Sequence, residues 1–295
     1  MLQRVAGIKD KLKLLYLKEY NMPLISFVCP NGKEVLVKVC LTKCPLGDRC
    51  MSLPTLKLIA ESDRPWTGKP STTQLLNGTM LEWLKITQPY SVDPQNRAFA
   101  LLGTIHHSKL SQNFISEVKL GDEITGTFDL IWPEPDGRYI LYDYKTWGSY
   151  RVAKALGLVK EGKGKDARFS ISPTEVDLVE EQLQLNHYRL LLAERGVEVS
   201  QMLLQITVRD GGTFIASSRG ITKNIYIIPI VFLEDAEVKQ YFRTKADRLL
   251  LALEFNQQPP PCNNRESWDG RRCKEYCEVA NYCPRGILGQ EQGKI

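Results

Sequence analysis

All eight cysteines of the chain fall into two quartets of identical spacing, C-x10-C-x3-C-x5-C. Cys29, Cys40, Cys44 and Cys50 form the first, and Cys262, Cys273, Cys277 and Cys283 the second. A chance placement of eight cysteines seldom copies its own spacing, and four thiolates are the usual shell of a structural metal ion or cluster. The repeated spacing therefore favours ligation over inert core thiols or disulfides. Ligand type alone does not choose between zinc and iron-sulfur, since thiolates suit both.

The frame around the quartets is ordinary. With 295 residues, 43% hydrophobic and 25% charged, the chain is long enough for one large domain or two small ones. A net charge of +5 is too small for a polycation that coats nucleic acid, so any basic surface must be local. The opening stretch MLQRVAGIKDKLKLLYLKEY interleaves apolar and charged residues and lacks the uninterrupted apolar core of a signal peptide or membrane span. A cytoplasmic, reducing compartment with no membrane partner is expected, where cysteine quartets hold metal more often than disulfides. One basic segment stands out: Arg151, Lys154, Lys160, Lys163, Lys165 and Arg168, around the Gly-Lys alternation KEGKGK, form a candidate phosphate-binding loop. A solvated surface loop is its bland alternative.

Three segments are expected: 1–69, an N-terminal helix with the first quartet; 70–258, a core of strands and helices; and 259–295, the second quartet, set off by Pro259–Pro261. Ser71 and Gln74 have the spacing of a capping box ahead of an amphipathic run, which predicts a helix start. Leu233 to Phe255 has an acidic start and apolar repeats at three and four, the pattern of a long helix.

The chemistry-bearing stretch is ITGTFDLIWPEPDGRYILYDYKT, in which two strand-like runs flank a turn-rich PEPDG. A turn centred near Asp136 sets Asp129 opposite Asp143, with Lys145 on the same face as Asp143. Directly opposed carboxylates repel unless a cation lies between them, and magnesium or manganese with oxygen ligands suits the pair. Gln184 and Tyr188, four apart, share one helix face. His106 and His107 are two of only three histidines.

Taken in chain order, these residues resemble the RecB-like nucleases of the PD-(D/E)xK superfamily, including CRISPR-associated and AddB-type members that carry an iron-sulfur cluster. The GTxxH element of that family is similar to Gly103, Thr104 and His107; its GxxD to Gly126 and Asp129; its (D/E)xK to Asp143 and Lys145; and its QxxxY to Gln184 and Tyr188. The match runs over about residues 70 to 285. It implies an α/β restriction-endonuclease-like core, a mixed sheet flanked by helices, with the hairpin carrying the metal site. It implies that His107, Asp129, Asp143 and the Tyr144 carbonyl bind one or two Mg2+ or Mn2+ ions. Lys145 would position or deprotonate the attacking water and stabilise the pentavalent phosphate, and Gln184 and Tyr188 would support the site.

The resemblance also implies a [4Fe-4S] cluster at Cys262, Cys273, Cys277 and Cys283, with departures. The family triplet reads C-x2-C-x5-C, and a single upstream cysteine completes it; the matching stretch here, STTQLLNGTMLEW, has Asn77 and Gly78 instead. Three groupings remain open: two independent four-cysteine sites, one cluster drawing an N-terminal cysteine such as Cys50 to the C-terminal triplet, or zinc at Cys29, Cys40, Cys44 and Cys50 with iron-sulfur at the other end. In each, the cysteines serve stability and strand handling.

The resulting expectation is a metal-dependent deoxyribonuclease, an exonuclease on single-stranded or frayed DNA, in phage or bacterial recombination, repair or defence. The chain has no G-x-x-x-x-G-K-[ST] phosphate loop, so a helicase would be a separate partner, as would an integrase or recombination protein. The competing expectations are a zinc-containing nucleic-acid-binding module without catalysis, and a partner-dependent subunit of a larger DNA-processing complex.

Overall fold

A computed structural model describes residues 24–63, 65–110, 114–162 and 168–292, with the side chains of 100, 104–110 and 292 outside the description. The expected N-terminal helix, Lys163 and Lys165 lie outside the described residues. Two units interleave along the chain: the first takes 1–70, 77–101 and 243–295, and the second takes 71–76 and 102–242.

In the first unit, strand β1 (Leu24–Val28) turns through Cys29–Gly32 into β2 (Glu34–Leu36), paired antiparallel, and on its other side runs parallel to β3 (Tyr90–Val92). Such a small sheet needs other support. Phe27, Leu56, Ile59 and the helix Thr79–Thr87, with Met80, Leu81, Trp83 and Leu84, supply a buried apolar set. The Trp83 indole donates to the Ala252 carbonyl at 3.1 Å, satisfying the one polar atom of a buried ring.

The second unit is built on a five-stranded mixed sheet. Its early strands are β4 (Ile115–Ser116), β5 (Lys119–Leu120), β6 (Gly126–Thr127) and β7 (Leu130–Pro133). β8 (Tyr139–Trp147) follows, then a hairpin of β9 (Leu158–Glu161) and β10 (Arg168–Ile171), and finally β11 (Val199–Val208) and β12 (Ile225–Ile230). The sheet order is β12-β11-β8-β7-β4, with β8 central. β8 is antiparallel to β7 and parallel to β11, the latter made possible by a long connection that includes the helix Val179–Ala193. Phe128, Leu141, Leu185, Met202, Leu204 and Ile206 are almost fully buried in one core. The mixed sheet with helices matches the architecture expected from the sequence.

Local expectations can be checked one by one. The Ser71 amide donates to Gln74 Oε1 at 3.0 Å and the Gln74 amide to Ser71 Oγ at 3.3 Å, the reciprocal bonds of a capping box. The helix it starts, Thr72–Leu76, stops at Asn77–Gly78. The long helix is Asp235–Glu254. Among the described residues no helix is long and apolar enough to cross a membrane.

Candidate active site

The site is set by hairpin register. Leu130 pairs with Tyr142, Ile131 with Leu141, Trp132 with Ile140 and Pro133 with Tyr139, so the turn is centred on Asp136, as the sequence pattern requires. Gly137, with φ +87°, closes that turn in a conformation that a side chain would strain. Continuing the register by one step brings Asp129 opposite Asp143. The Asp129 carboxylate accepts the Tyr144 backbone N–H at 2.7 Å, which ties the end of β7 to the middle of β8.

Asp143 is 2% exposed and pairs across the sheet with Leu204, deep in apolar surroundings. Burying a carboxylate there is costly unless it is matched by charge and hydrogen bonds. Lys145, two residues on and on the same strand face, supplies the match: its Nζ lies 2.6 Å from Asp143 Oδ2. Burial alone would lower the pKa of Lys145, but the charge of Asp143 and the hydrogen bond to it, with smaller contributions from Asp129 and Tyr188, raise it above the ordinary lysine range.

The helix Val179–Ala193 completes the group. Lys145 Nζ donates to Gln184 Oε1 at 3.1 Å, and Gln184 Nε2 donates to the Tyr188 hydroxyl at 3.1 Å. Burial, then the charge of Asp143, pushes the Tyr188 phenol up to about 12, so it stays protonated. Gly126 has a spatial reason. A Cβ there would sit 2.7 Å from the Tyr188 ring and 2.9 Å from Thr72 Oγ1, so only glycine lets β6 pass beneath the tyrosine. Four of the expected residues, Asp143, Lys145, Gln184 and Tyr188, thus form one connected chain of contacts, with Asp129 beside it. His107 lies in the helix Pro94–Leu110, and its side chain falls outside the described residues.

The third histidine, His187, has a structural task. Its Nδ1 is 2.8 Å from Thr72 Oγ1 and its ring stacks on Phe242 with centroids 4.0 Å apart. Burial depresses its pKa to about 4.

One supporting element carried no sequence signal of its own. Asp210, just beyond β11, accepts the Ser149 amide and the Ser149 hydroxyl, both at 2.6 Å, and Arg219 donates to the same hydroxyl at 2.8 Å. Burial would raise the Asp210 pKa, but the Ser149 hydrogen bonds outweigh it and the net shift is downward. This clamp holds the first residue of the helix Ser149–Ala155, which follows directly on the strand that carries Asp143 and Lys145.

The basic segment splits. Arg151 is held internally, 2.8 Å from Glu181 Oε2 and 4.6 Å over the Trp147 ring. Lys160 and Arg168 lie toward the connection end of the β9–β10 pairing, opposite Phe169 and Glu161 respectively. Lys154 lies on the helix Ser149–Ala155, with its Nζ 5.8 Å from the Tyr150 ring centroid.

The cysteines belong to the first unit. Cys29, Cys40, Cys44 and Cys50 line one cavity of about 120 Å³. Burial raises the pKa of Cys29 and Cys40, and the charge of the other thiols of this quartet raises it further. Cys273 and Cys283 are buried, Cys262 and Cys277 partly so, and burial pushes the Cys277 thiol up to about 11. Cys262 occupies an informative place: its sulfur lies 2.3 Å from where a Cβ on Gly78 would be. The stretch that lacks a cysteine of its own receives one from the C-terminal segment. Among the described residues no three His, Cys, Asp or Glu side chains are arranged to hold a single metal ion. For the hairpin, the donor set fits a hard divalent cation nonetheless, being two carboxylates brought face to face by register.

A buried Asp-x-Lys pair thus lies on the central strand of a mixed sheet, with a second carboxylate opposite it in register. The profile of the PD-(D/E)XK nuclease superfamily matches residues 85–284, and the chain belongs to that superfamily. Members are nucleases, hydrolases of phosphodiester bonds. Two solved structures are similar. SSO0001 is 18% identical with a TM-score of 0.41, the match covering 78% of this chain and 93% of that one. A protein of Eubacterium rectale described as a suspected exonuclease is 12% identical with a TM-score of 0.30, covering 60% of each chain. No curated protein sequence matches the chain closely enough to count as a relative.

Proposed function

We propose that this nuclease is a divalent-metal-dependent deoxyribonuclease, an exonuclease of the RecB-like branch that acts on single-stranded or frayed ends in recombination, repair or defence. The observation that carries the reading is the Asp143–Lys145 pair, 2.6 Å apart at the centre of the sheet, with Asp129 facing it. Asp143, Asp129, the Tyr144 carbonyl and His107 would hold Mg2+ or Mn2+. When bound, the ion supplies Lewis acidity and a water of lowered pKa.

The chain's own groups have separable tasks. Lys145, paired with Asp143, would position or deprotonate the attacking water and offer positive charge to the phosphate as negative charge develops on it. Gln184 accepts from the Lys145 amine on the helix side and is itself held by Tyr188. Lys154, Lys160 and Arg168, with Lys163 and Lys165, are proposed to steer the phosphate backbone, a contribution that should weaken with salt. Arg151 would contribute less, because its charge is already matched by Glu181. The C-terminal quartet is proposed to hold an iron-sulfur cluster, and a helicase, integrase or recombination protein is the expected kind of partner.

End-labelled linear and covalently closed circular single-stranded DNA, each incubated with the protein and Mg2+ or Mn2+, test the reading. Degradation confined to the linear form, with a ladder from one end, is expected. Equal cleavage of the circle contradicts the exonuclease assignment, and no cleavage of either while DNA is still bound favours the non-catalytic module.

A further inference from the structure

Beyond Lys145 the same strand face continues into aromatic side chains that the hydrolysis itself leaves unused. Trp147 follows Lys145 by two residues on β8, so it projects from the same face, roughly 6.6 Å further along. The Arg151 guanidinium lies 4.6 Å from its ring centroid. Tyr150, in the first turn of the helix Ser149–Ala155, is 53% exposed, and two cations flank its ring: Lys154 Nζ at 5.8 Å and the Arg219 guanidinium at 5.9 Å from the centroid. The Ser149 clamp sets the second of these, since Arg219 donates to the Ser149 hydroxyl and lies 3.8 Å from Asp210 Oδ2. Gly220, next in the chain, touches Phe169: a Cβ there would meet the Phe169 ring at 2.8 Å. Lys160 Nζ is in turn 5.9 Å from that ring's centroid. Three rings, each with a cation beside it, are thus gathered in the second unit along from the Asp143–Lys145 pair.

We propose that this interleaving of rings and cations is a binding track for the unpaired bases of a single strand, with Tyr150 as its principal stacking surface; the choice of nucleic acid as the ligand rests on the nuclease reading. A ring half open to solvent, with cations at its edge, offers a π face to a base and positive charge to the phosphates on either side of it. The two lysines supply that charge, both being exposed, whereas Arg151 is matched by Glu181 and Arg219 is partly offset by Asp210. A duplex does not fit the track, because its bases are stacked on one another and present no free face. A protein partner fits it poorly, because the centre of a protein interface is depleted of charge and here arginine and lysine accompany every ring. The track therefore gives the site a preference for unpaired strand that metal ligands alone do not provide, since they act on the phosphodiester and not on the bases.

Binding measured by fluorescence anisotropy with a chelator present tests this without cleavage. The full chain, Tyr150→Leu and Tyr150→Phe are titrated against a labelled oligothymidylate, an abasic strand of the same length and charge, and a blunt duplex. Tyr150→Leu should weaken binding of the oligothymidylate about tenfold and leave the other two ligands unchanged, while Tyr150→Phe, which keeps the ring, should match the wild type. Tyr150 is exposed, so both variants should fold, which circular dichroism checks. The wild type by itself should bind the oligothymidylate more tightly than the abasic strand, and equal affinities there overturn the proposal whatever the variants do. Equal affinity of wild type and Tyr150→Leu for the oligothymidylate, or an equal loss for all three ligands, also overturns it. A protein that shows these affinities yet cuts nothing keeps the track and loses the nuclease reading, and one that cuts linear DNA without them does the reverse.

Discussion

The two units fix their chemistry-bearing side chains by different means. In the second unit, strands of nine and ten residues pair over most of their length, and a buried core locks their register. Asp143 and Lys145 are placed by the backbone before any ligand arrives. In the first unit the strands have five, three and three residues, and the thiols are carried by turns and by helices of five and six residues. There a metal held by the thiols, as proposed, would supply cross-links that a longer sheet would otherwise provide. The difference teaches that the candidate site should tolerate loss of its charges as a fold, whereas the cysteine segments would depend on the metal proposed for them.

The largest expected effect comes from replacing the central ion pair by apolar groups of similar volume. Asp143→Leu/Lys145→Met should abolish cleavage while leaving the urea midpoint near or above that of the wild type, because a buried pair replaced as a unit is often neutral or stabilising. A large loss of stability in the double variant would mean that the pair holds the sheet together. Acid comes next. His187 has a folded pKa of about 4 against an ordinary 6.5, so the unfolded chain takes up its proton first. Its contribution is complete above pH 6.5 and is lost as pH falls through that value to about 4, amounting to about 3 kcal/mol. His187→Gln should flatten the stability profile across that window, as read by urea unfolding at stepped pH.

Two glycines sharpen the contrast further. Gly126→Ala forces a methyl against the Tyr188 ring, and Gly78→Ala forces one onto the Cys262 sulfur. Each should cost about 1–3 kcal/mol by overpacking. The first should lower cleavage with bound metal at the cysteines unchanged, and the second should lower cysteine-bound iron. The smallest effect is expected of Gln184→Ala, which removes one hydrogen bond to Lys145 and one to Tyr188, about 1 kcal/mol each, and should slow cleavage roughly tenfold.

Much of the candidate site's geometry could be read from the chain because its determinants are local. The PEPDG turn and strand alternation sufficed to face Asp129 with Asp143, and a spacing of four put Gln184 and Tyr188 on one helix face. Contacts between distant segments were out of reach. Nothing local marks Asp210 as the acceptor for Ser149, or Cys262 as the neighbour of Gly78, since both depend on how separate elements pack. Gly126 looked like one position of a four-residue motif, and its reason became visible only when the Tyr188 ring was seen against it.

The central claim is that Lys145, paired with Asp143, is the charge that acts on the phosphate. It is tested most directly by comparing wild type and Lys145→Ala, both purified without oxygen, for cleavage of end-labelled DNA with Mg2+ or Mn2+ under single-turnover conditions. A fall of about 10²–10³ in rate, with DNA binding retained, is predicted. Equal rates for the two proteins would contradict it.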